Sequence, residues 1–409
     1  MLSELKKVRF PIETGLLLAF CLFLPLLEFW KNLALFSYAV VWLVNRQRSR
    51  DFGGPWRTSD ALVLLWIGVA YLAAAFAGLE GRAIAKTGDV LVSALLFWMV
   101  TRAGYAEREL RWVQGALLVS LLVGLVVGYV RMFGGIGKTG LLQLYSVGHV
   151  NHTAIYITIM LGVCVSWLFA GWPSWPGARR WGWLAFTALV FASLAPTWSR
   201  AAIAAGVLVI LAIAAAWWPR SRLPLVASAV GIAVATALLV GSGADVIRKQ
   251  AEYAATGKLL SFRDEIWSAG LIAWEKYPWF GIGKDNYQLI TEERMQVWSA
   301  ESGRPFDPAK FLFVPHAHSL YVNTLVERGA VGFATLIAAL GAALYALLRY
   351  RPRPADADIE WILWGGAAGA WIATAGIGVV NTTFHHEHGL LAALLLGLWL
   401  STLHRRPAS

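Results

Sequence analysis

Charge is scarce in this chain. Only 14% of its 409 residues are Asp, Glu, Lys or Arg, against about 25% in a soluble domain. Cysteine is nearly missing: Cys21 and Cys164 both lie inside apolar runs, so neither a disulfide framework nor a Cys-based zinc site is available. Repeats and low-complexity tracts are not evident. The first apolar run is interrupted by Pro11, Glu13 and Pro25 and is followed by no small-residue cleavage site, so it does not read as a cleavable signal peptide. These shortages exclude a disordered protein, a coiled coil and an ordinary soluble enzyme. Apolar residues are plentiful instead, at 58%, with 22 Trp, 12 Tyr and 19 Phe and a mean hydropathy of +0.58. That balance belongs to a polytopic all-α membrane protein, with aromatics suited to the membrane interface.

A helix needs roughly 20 apolar residues to cross a bilayer. The sequence offers such runs near 10–30, 32–45, 60–79, 84–101, 112–130, 150–170, 181–197, 200–218, 223–241, 318–348, 359–381 and 387–404. The second is short. The tenth is long enough to be an interfacial piece followed by a span. The net charge of +11 is chiefly a topology signal. One set of alternate ends, from Lys6, Lys7 and Arg9 to Arg405 and Arg406, holds nineteen of the 35 basic residues; the short loops on the other side hold six, namely Lys31, Arg82, Lys86, Arg131, Lys138 and Arg200. By the positive-inside rule both termini are cytoplasmic. Nucleic acid is a poor partner for charge so distributed.

The organisation expected is therefore spans one to nine over 1–241, an outer loop over 242–317, and spans ten to twelve with a short tail over 318–409. The loop carries nine Lys/Arg and ten Asp/Glu and is too long for an unstructured connector. Ser261-Phe-Arg-Asp264 reads as a capping box opening a helix to about Tyr277, stopped by Pro278. Asp285 with Gln288 reads as a second helix start, running to about Ser299. A small helical cap follows.

Polar groups at the edge of so apolar a chain require a reason, and they gather on the outer side. In Thr197-Trp-Ser-Arg200, Ser199 is placed to cap the next helix and Arg200 to sit at its N-terminus. There the dipole and a forked guanidinium favour an anion such as phosphate; the plainer role is an Arg reaching lipid headgroups. Arg263, in the first turn of the cap helix with Trp267, Leu271 and Trp274 along its face, is either a second anion contact or a surface cation. In Pro315-His-Ala-His318-Ser a boundary histidine suits a general base, since its pKa is near neutrality. The bland alternative is a helix-end histidine bonded to a carbonyl. His316 and His318 have no carboxylate at i+3 or i+4, which argues against a metal pair. Glu327 and Arg328 read as a midplane charge pair. Asn381-Thr-Thr-Phe-His-His-Glu-His388 is expected to be a polar rim rather than a metal site, because consecutive side chains fan out. Asn151, opening the sixth run, is a candidate cap or headgroup ligand, and Arg131 and Lys138 are candidate phosphate contacts.

The order of these features resembles the O-antigen ligase/polymerase superfamily: about a dozen spans, Thr-x-Ser-Arg, a large outer loop carrying an Arg, His-x-His-Ser, then Glu327-x-Gly329-x-x-Gly332. The match is strongest from Thr197 to Gly332, and the Asn151 turn adds to it. The resemblance implies a GT-C-like fold with a periplasmic cap in the bacterial inner membrane, and an enzyme that moves a glycan from undecaprenyl pyrophosphate to lipid A-core oligosaccharide. It implies Arg200, Arg263 and His318 as the catalytic set, His316 as a less constant companion, no cofactor and no metal, and a monomer as the working expectation. An acidic residue reported near the end of some members has only Glu387 to correspond to it here, and that role is not carried over. The alternatives are an O-antigen polymerase, a protein O-oligosaccharyltransferase and a lipid or sugar transporter.

Overall fold

The computed structural model describes residues 8–136, 140–218, 231 and 262–403. Among them every regular element is helical. Six helices are long and apolar enough to cross a membrane: α3 (Thr58–Ala75), α4–α5 (Ala83–Lys86 and Gly88–Arg102, continuous over Ala83–Arg102), α6 (Glu107–Phe133), α7 (Val150–Gly171), α9 (Arg200–Trp217) and α12 (Leu320–Arg349). The chain is a multi-pass membrane protein. Five further helices lie where apolar runs are expected: α1 (Pro11–Phe23), α2 (Glu28–Ser49), α8 (Gly177–Ala192), α13 (Asp358–Ile372) and α14 (His386–Leu403). Apart from Gly231, the run at 223–241 lies outside the described residues, as do Lys138, Ser261 and both ends of the chain.

The first two runs divide differently from expectation. Pro11 opens α1 and the chain turns through Leu24–Leu27, past Pro25, so the second run becomes a 22-residue helix. Lys31 is therefore not a loop residue. It lies in the first turn of α2 at 3% exposure, ion-paired to Glu387. At the opposite ends of the helices Arg46 meets Glu13 at 3.0 Å and Arg102 meets Asp60. Two arginines counted as topology signals thus also neutralise buried carboxylates.

The centre of the molecule is α7, buried along 94% of its apolar window. It packs on α13 because both faces are small. An added Cβ on Gly162 would lie 2.8 Å from the Gly365 carbonyl oxygen and 2.9 Å from the Gly369 Cα. Within a bilayer, where helices gain little from apolar burial against each other, such small-residue stripes let backbones approach and dispersion contacts accumulate.

Residues 263–317 build a second, separate apolar cluster outside the bundle. Its members include Ile266, Ala269, Ala273, Tyr287, Met295 and Trp298, and it closes on Val326 of α12. α10 (Arg263–Lys276) ends one residue before the expected Tyr277, ahead of Pro278. Its start is not a capping box among the described residues: Phe262 holds the N-cap in a left-handed conformation, with no side-chain cap. The second expected helix also starts later. Residues Tyr287–Leu289 form a single 3₁₀ turn, and α11 (Glu292–Glu301) is capped by Thr291, which accepts from the Arg294 amide. Asp285 cannot cap it, since it sits left-handed with its amide donating to Glu327 Oε1 at 2.9 Å.

The long tenth run is broken at Gly329, where φ is +65° and ψ −169° inside α12. The loop after α10 docks on this break. Ile282 and Gly283 amides donate to the Val326 and Glu327 carbonyls at 2.9 Å; Ala330 and Val331 amides donate to Pro278 at 2.7 Å and Trp279 at 3.2 Å. Glu327 and Arg328 are thus not an isolated midplane pair. Glu327 holds the cap loop through the Asp285 amide and lies 3.8 Å from Lys284, while Arg328 stacks over Trp66.

Candidate active site

The turn between α8 and α9 is a 3₁₀ segment, Ala195–Thr197, closed by Thr197 Oγ1 donating to the Leu194 carbonyl at 2.6 Å. Trp198 follows in a left-handed conformation. Ser199 occupies the N-cap position of α9 but makes no side-chain cap bond, so the expected serine cap is not formed. The Ser199 amide donates instead to Thr197 Oγ1 at 3.3 Å. Arg200 is the first residue of α9 and is exposed, the position at which unpaired helix amides attract an anion.

Arg263 is half-buried at the start of α10, with Nε donating to the Val380 carbonyl at 2.9 Å. Burial depresses its pKa, and the positive charge of Arg200 depresses it further. The two guanidiniums are therefore close enough to repel through space, although 63 positions separate them in the chain. Two guanidiniums brought together in this way form a locally positive surface, which favours anionic ligands.

His318 sits on a strap held from both sides. The Ala317 amide donates to Asn323 Oδ1 at 3.0 Å, and the Ala317 carbonyl accepts from Trp267 Nε1 at 2.9 Å. Ser319 caps α12 by accepting from the Val322 amide at 3.3 Å. Leu320 donates to the Gly378 and Asn381 carbonyls, in the loop that follows the π turn Ala373–Ile377 after α13. Between these fixed points His318 takes φ +48°. Such a conformation is uncommon for a residue with a Cβ and persists where surroundings impose it. Its ring stacks edge-on to His316 at 4.1 Å. Burial brings the His318 pKa down to about 4, helped by His316, Arg263 and His149. The imidazole is neutral at physiological pH and has a base's lone pair available.

Arg200, Arg263, His316 and His318 thus share one neighbourhood. Asn151 is not the cap of α7; His149 is, its Nδ1 accepting from the Asn151 amide at 3.2 Å. Through His149 that turn reaches the His316–His318 pair. Arg131 lies apart, at the end of α6 over the Tyr145 ring at 4.9 Å, and no described contact joins it to the arginine–histidine group. Asn323, Trp267 and His149 had no assigned role from sequence. Asn323 carried a weak signal, as a polar residue in the first turn of an apolar helix; the Val380 carbonyl that holds Arg263 carried none.

Residues 185–337 match the O-Antigen ligase family, Wzy_C. The matched stretch takes in the end of α8, α9, the cap and the first half of α12, and with them Arg200, Arg263, His316 and His318; Asn151, Arg131 and the turn at 381–388 lie outside it. The family includes both ligases and polymerases that transfer lipid-linked glycans. No curated protein sequence matches the chain.

Proposed function

We propose that the chain is an O-antigen ligase of the bacterial inner membrane, moving a glycan from undecaprenyl pyrophosphate to lipid A-core oligosaccharide at the periplasmic face. The observation that carries this reading is that Arg263 lies within electrostatic reach of both Arg200 and His318, inside the family-matched region. Both termini are then cytoplasmic, about twelve spans cross the membrane in a GT-C-like arrangement, and residues 242–317 form the periplasmic cap over the donor lipid.

The chemistry follows from the residues. Arg200 and Arg263 bind the pyrophosphate by paired N–H donors. An acceptor hydroxyl oxygen attacks the anomeric carbon, and the bond to the pyrophosphate oxygen breaks. The electron pair goes to the leaving group, whose growing charge the guanidiniums stabilise. The hydroxyl proton passes to neutral His318. A single displacement inverts the anomeric centre, requires no covalent enzyme intermediate, and needs no metal ion, since the two arginines supply the positive charge. Asn151 and His316 contact the sugars or headgroup. Arg131 and Lys138 touch acceptor phosphates at the outer edge, as peripheral rather than central groups.

The test is reconstitution of the purified protein with undecaprenyl-pyrophosphate glycan and lipid A-core in the presence of EDTA, for wild type and His318→Ala. Glycosylated lipid A-core from wild type alone supports the ligase. Longer lipid-linked glycans without that product mean a polymerase. An intact donor with every acceptor overturns glycan transfer and returns the transporter.

A further inference from the structure

Three histidines outside the family-matched region converge: His385 and His388, from a stretch whose consecutive side chains were expected to fan out, and His152. His385 immediately precedes α14, His388 lies in its first turn, and His152 lies in the first turn of α7. Phe384 and His386 are both left-handed, with φ of +65° and +49°. This double reversal turns His385 and His388 to the same side, against His152. The ring centroids form a near-equilateral triangle: His152–His385 4.8 Å, His385–His388 4.9 Å and His152–His388 5.1 Å. One ligand nitrogen from each ring lies within 4.8 Å of the others.

The hydrogen bonding of the three rings is as telling as their spacing. His388 is 1% exposed, and neither of its ring nitrogens has a hydrogen-bond partner among the described residues. A buried imidazole left so is rare. His385 Nε2 lies 2.8 Å from the Thr382 carbonyl, which leaves Nδ1 for the centre of the triangle. The His152 ring lies beside the Val147 backbone. Metal-ligating histidines commonly place their second nitrogen on a backbone carbonyl in this way, which fixes the tautomer and the ring orientation. Glu387 is not a fourth ligand: Lys31 and Ser146 Oγ, at 3.1 Å, hold its carboxylate.

We propose that His152, His385 and His388 bind one divalent first-row transition-metal ion, zinc by preference, through three imidazole nitrogens. A tetrahedral ion at 2.0–2.1 Å from each nitrogen sets three imidazole centroids roughly 5 Å apart, the spacing observed. Small ring rotations draw the nitrogens to the roughly 3.3 Å separations such an ion imposes. The fourth position is left for water or a further ligand. The ion clasps the start of α7 to the turn before α14, beside the strap that carries His318, and no step of glycan transfer passes through it. This site departs from the sequence expectation of a metal-free rim and stands independently of the proposed transfer reaction, because its readout is metal binding alone.

The test uses tag-free full-length protein in nanodiscs, stripped with EDTA and titrated with cobalt(II) chloride. The expected result is one equivalent of cobalt per chain, with the visible d–d absorption of a four-coordinate ion, displaced by zinc. His152→Gln and His388→Gln each weaken uptake at least tenfold. Absence of the four-coordinate spectrum in wild type, or an unchanged titration in both variants, overturns the proposal. Should the variants fail to fold, X-ray absorption on zinc-loaded wild type decides: three imidazole ligands are expected, and any other count overturns it.

Discussion

Replacing Gly329 with alanine attacks the joint between the cap and the membrane bundle at one atom. The residue has φ +65° and ψ −169°, a region essentially confined to glycine, where another residue costs about 1–3 kcal/mol. An added Cβ would also lie 2.2 Å from both the carbonyl carbon and oxygen of Trp279. These are backbone atoms that cannot swing aside, and such overpacking costs about 1–3 kcal/mol more. The combined penalty of about 2–6 kcal/mol falls on the docking of residues 278–283 against α12, because the strain is removed when that loop lifts. The assay is hydrogen exchange followed by mass spectrometry on protein in nanodiscs. The Ala330 and Val331 amides, which donate to Pro278 and Trp279, are expected to exchange at least about 30-fold faster, since about 1.4 kcal/mol is a factor of ten. Exchange in α7 and α13 stays as in wild type. Gly341→Ala, where a Cβ meets nothing within 4 Å, is the neutral control. Unchanged protection of Ala330 and Val331 in Gly329→Ala would refute the reasoning, because a tolerated Cβ means the loop does not sit against the break.

Arg263→Lys keeps the charge but loses the Nε donor to Val380 and the forked geometry; glycan transfer is expected to fall by about 10²-fold, as for loss of one transition-state donor, with folding unchanged by thermal melt. Glu387→Ala leaves Lys31, at 3% exposure, without its buried partner and with only the exposed Glu28 carboxylate at 3.7 Å. Breaking a buried pair from one side costs about 3–5 kcal/mol, so a clear drop in melting temperature is expected, and a melt equal to wild type would count against the ion pair. For pH, the His318 pKa is lowered to about 4 in the folded chain from about 6.5 in the unfolded one. Between these values the unfolded state binds the extra proton, so stability attributable to His318 is complete above about pH 6.5 and declines as pH falls toward 4. Transfer in the substrate-free-enzyme regime is accordingly flat from pH 6 to 8 and loses its base only below about 5. An acid limb centred at 6.5 that vanishes in His318→Gln would show that the site does not hold the imidazole neutral.

The helices were legible because their signals are local. Length and apolarity mark Glu107–Phe133 and Val150–Gly171 without any knowledge of neighbours. The boundaries that moved did so through long-range partners. Lys31 reads as a loop cation until Glu387, 356 positions away, is seen beside it. The Asp285 cap fails because the Glu327 carboxylate takes its amide. Ser199 holds the N-cap position and carries the right hydroxyl, yet makes no side-chain cap bond. For Lys31 and Asp285 the deciding partner lies far along the chain, out of reach of any local pattern.

The site divides along the same line. Arg200, Arg263 and His318 stood out because charge and histidine are conspicuous in so apolar a chain, and each is placed by a short local motif. The convergence of His385 and His388 was not legible for a specific reason. Fanning out of consecutive side chains assumes a uniform backbone, and the two left-handed residues Phe384 and His386 reverse it twice within three positions. Neither residue type announces positive φ, as glycine or asparagine does. What holds them there is spread over the fold: Thr383 is tied to the Thr374 carbonyl at 2.7 Å, the Gly389 amide to the His385 carbonyl at 3.0 Å, and Glu387 to Lys31. A strained turn over-determined by three anchors, carrying a buried histidine whose two nitrogens find no partner among the described residues, is poorly explained by packing alone. Packing would be served as well by an apolar residue at position 388. The polar ring is retained at a cost that a bound ion removes.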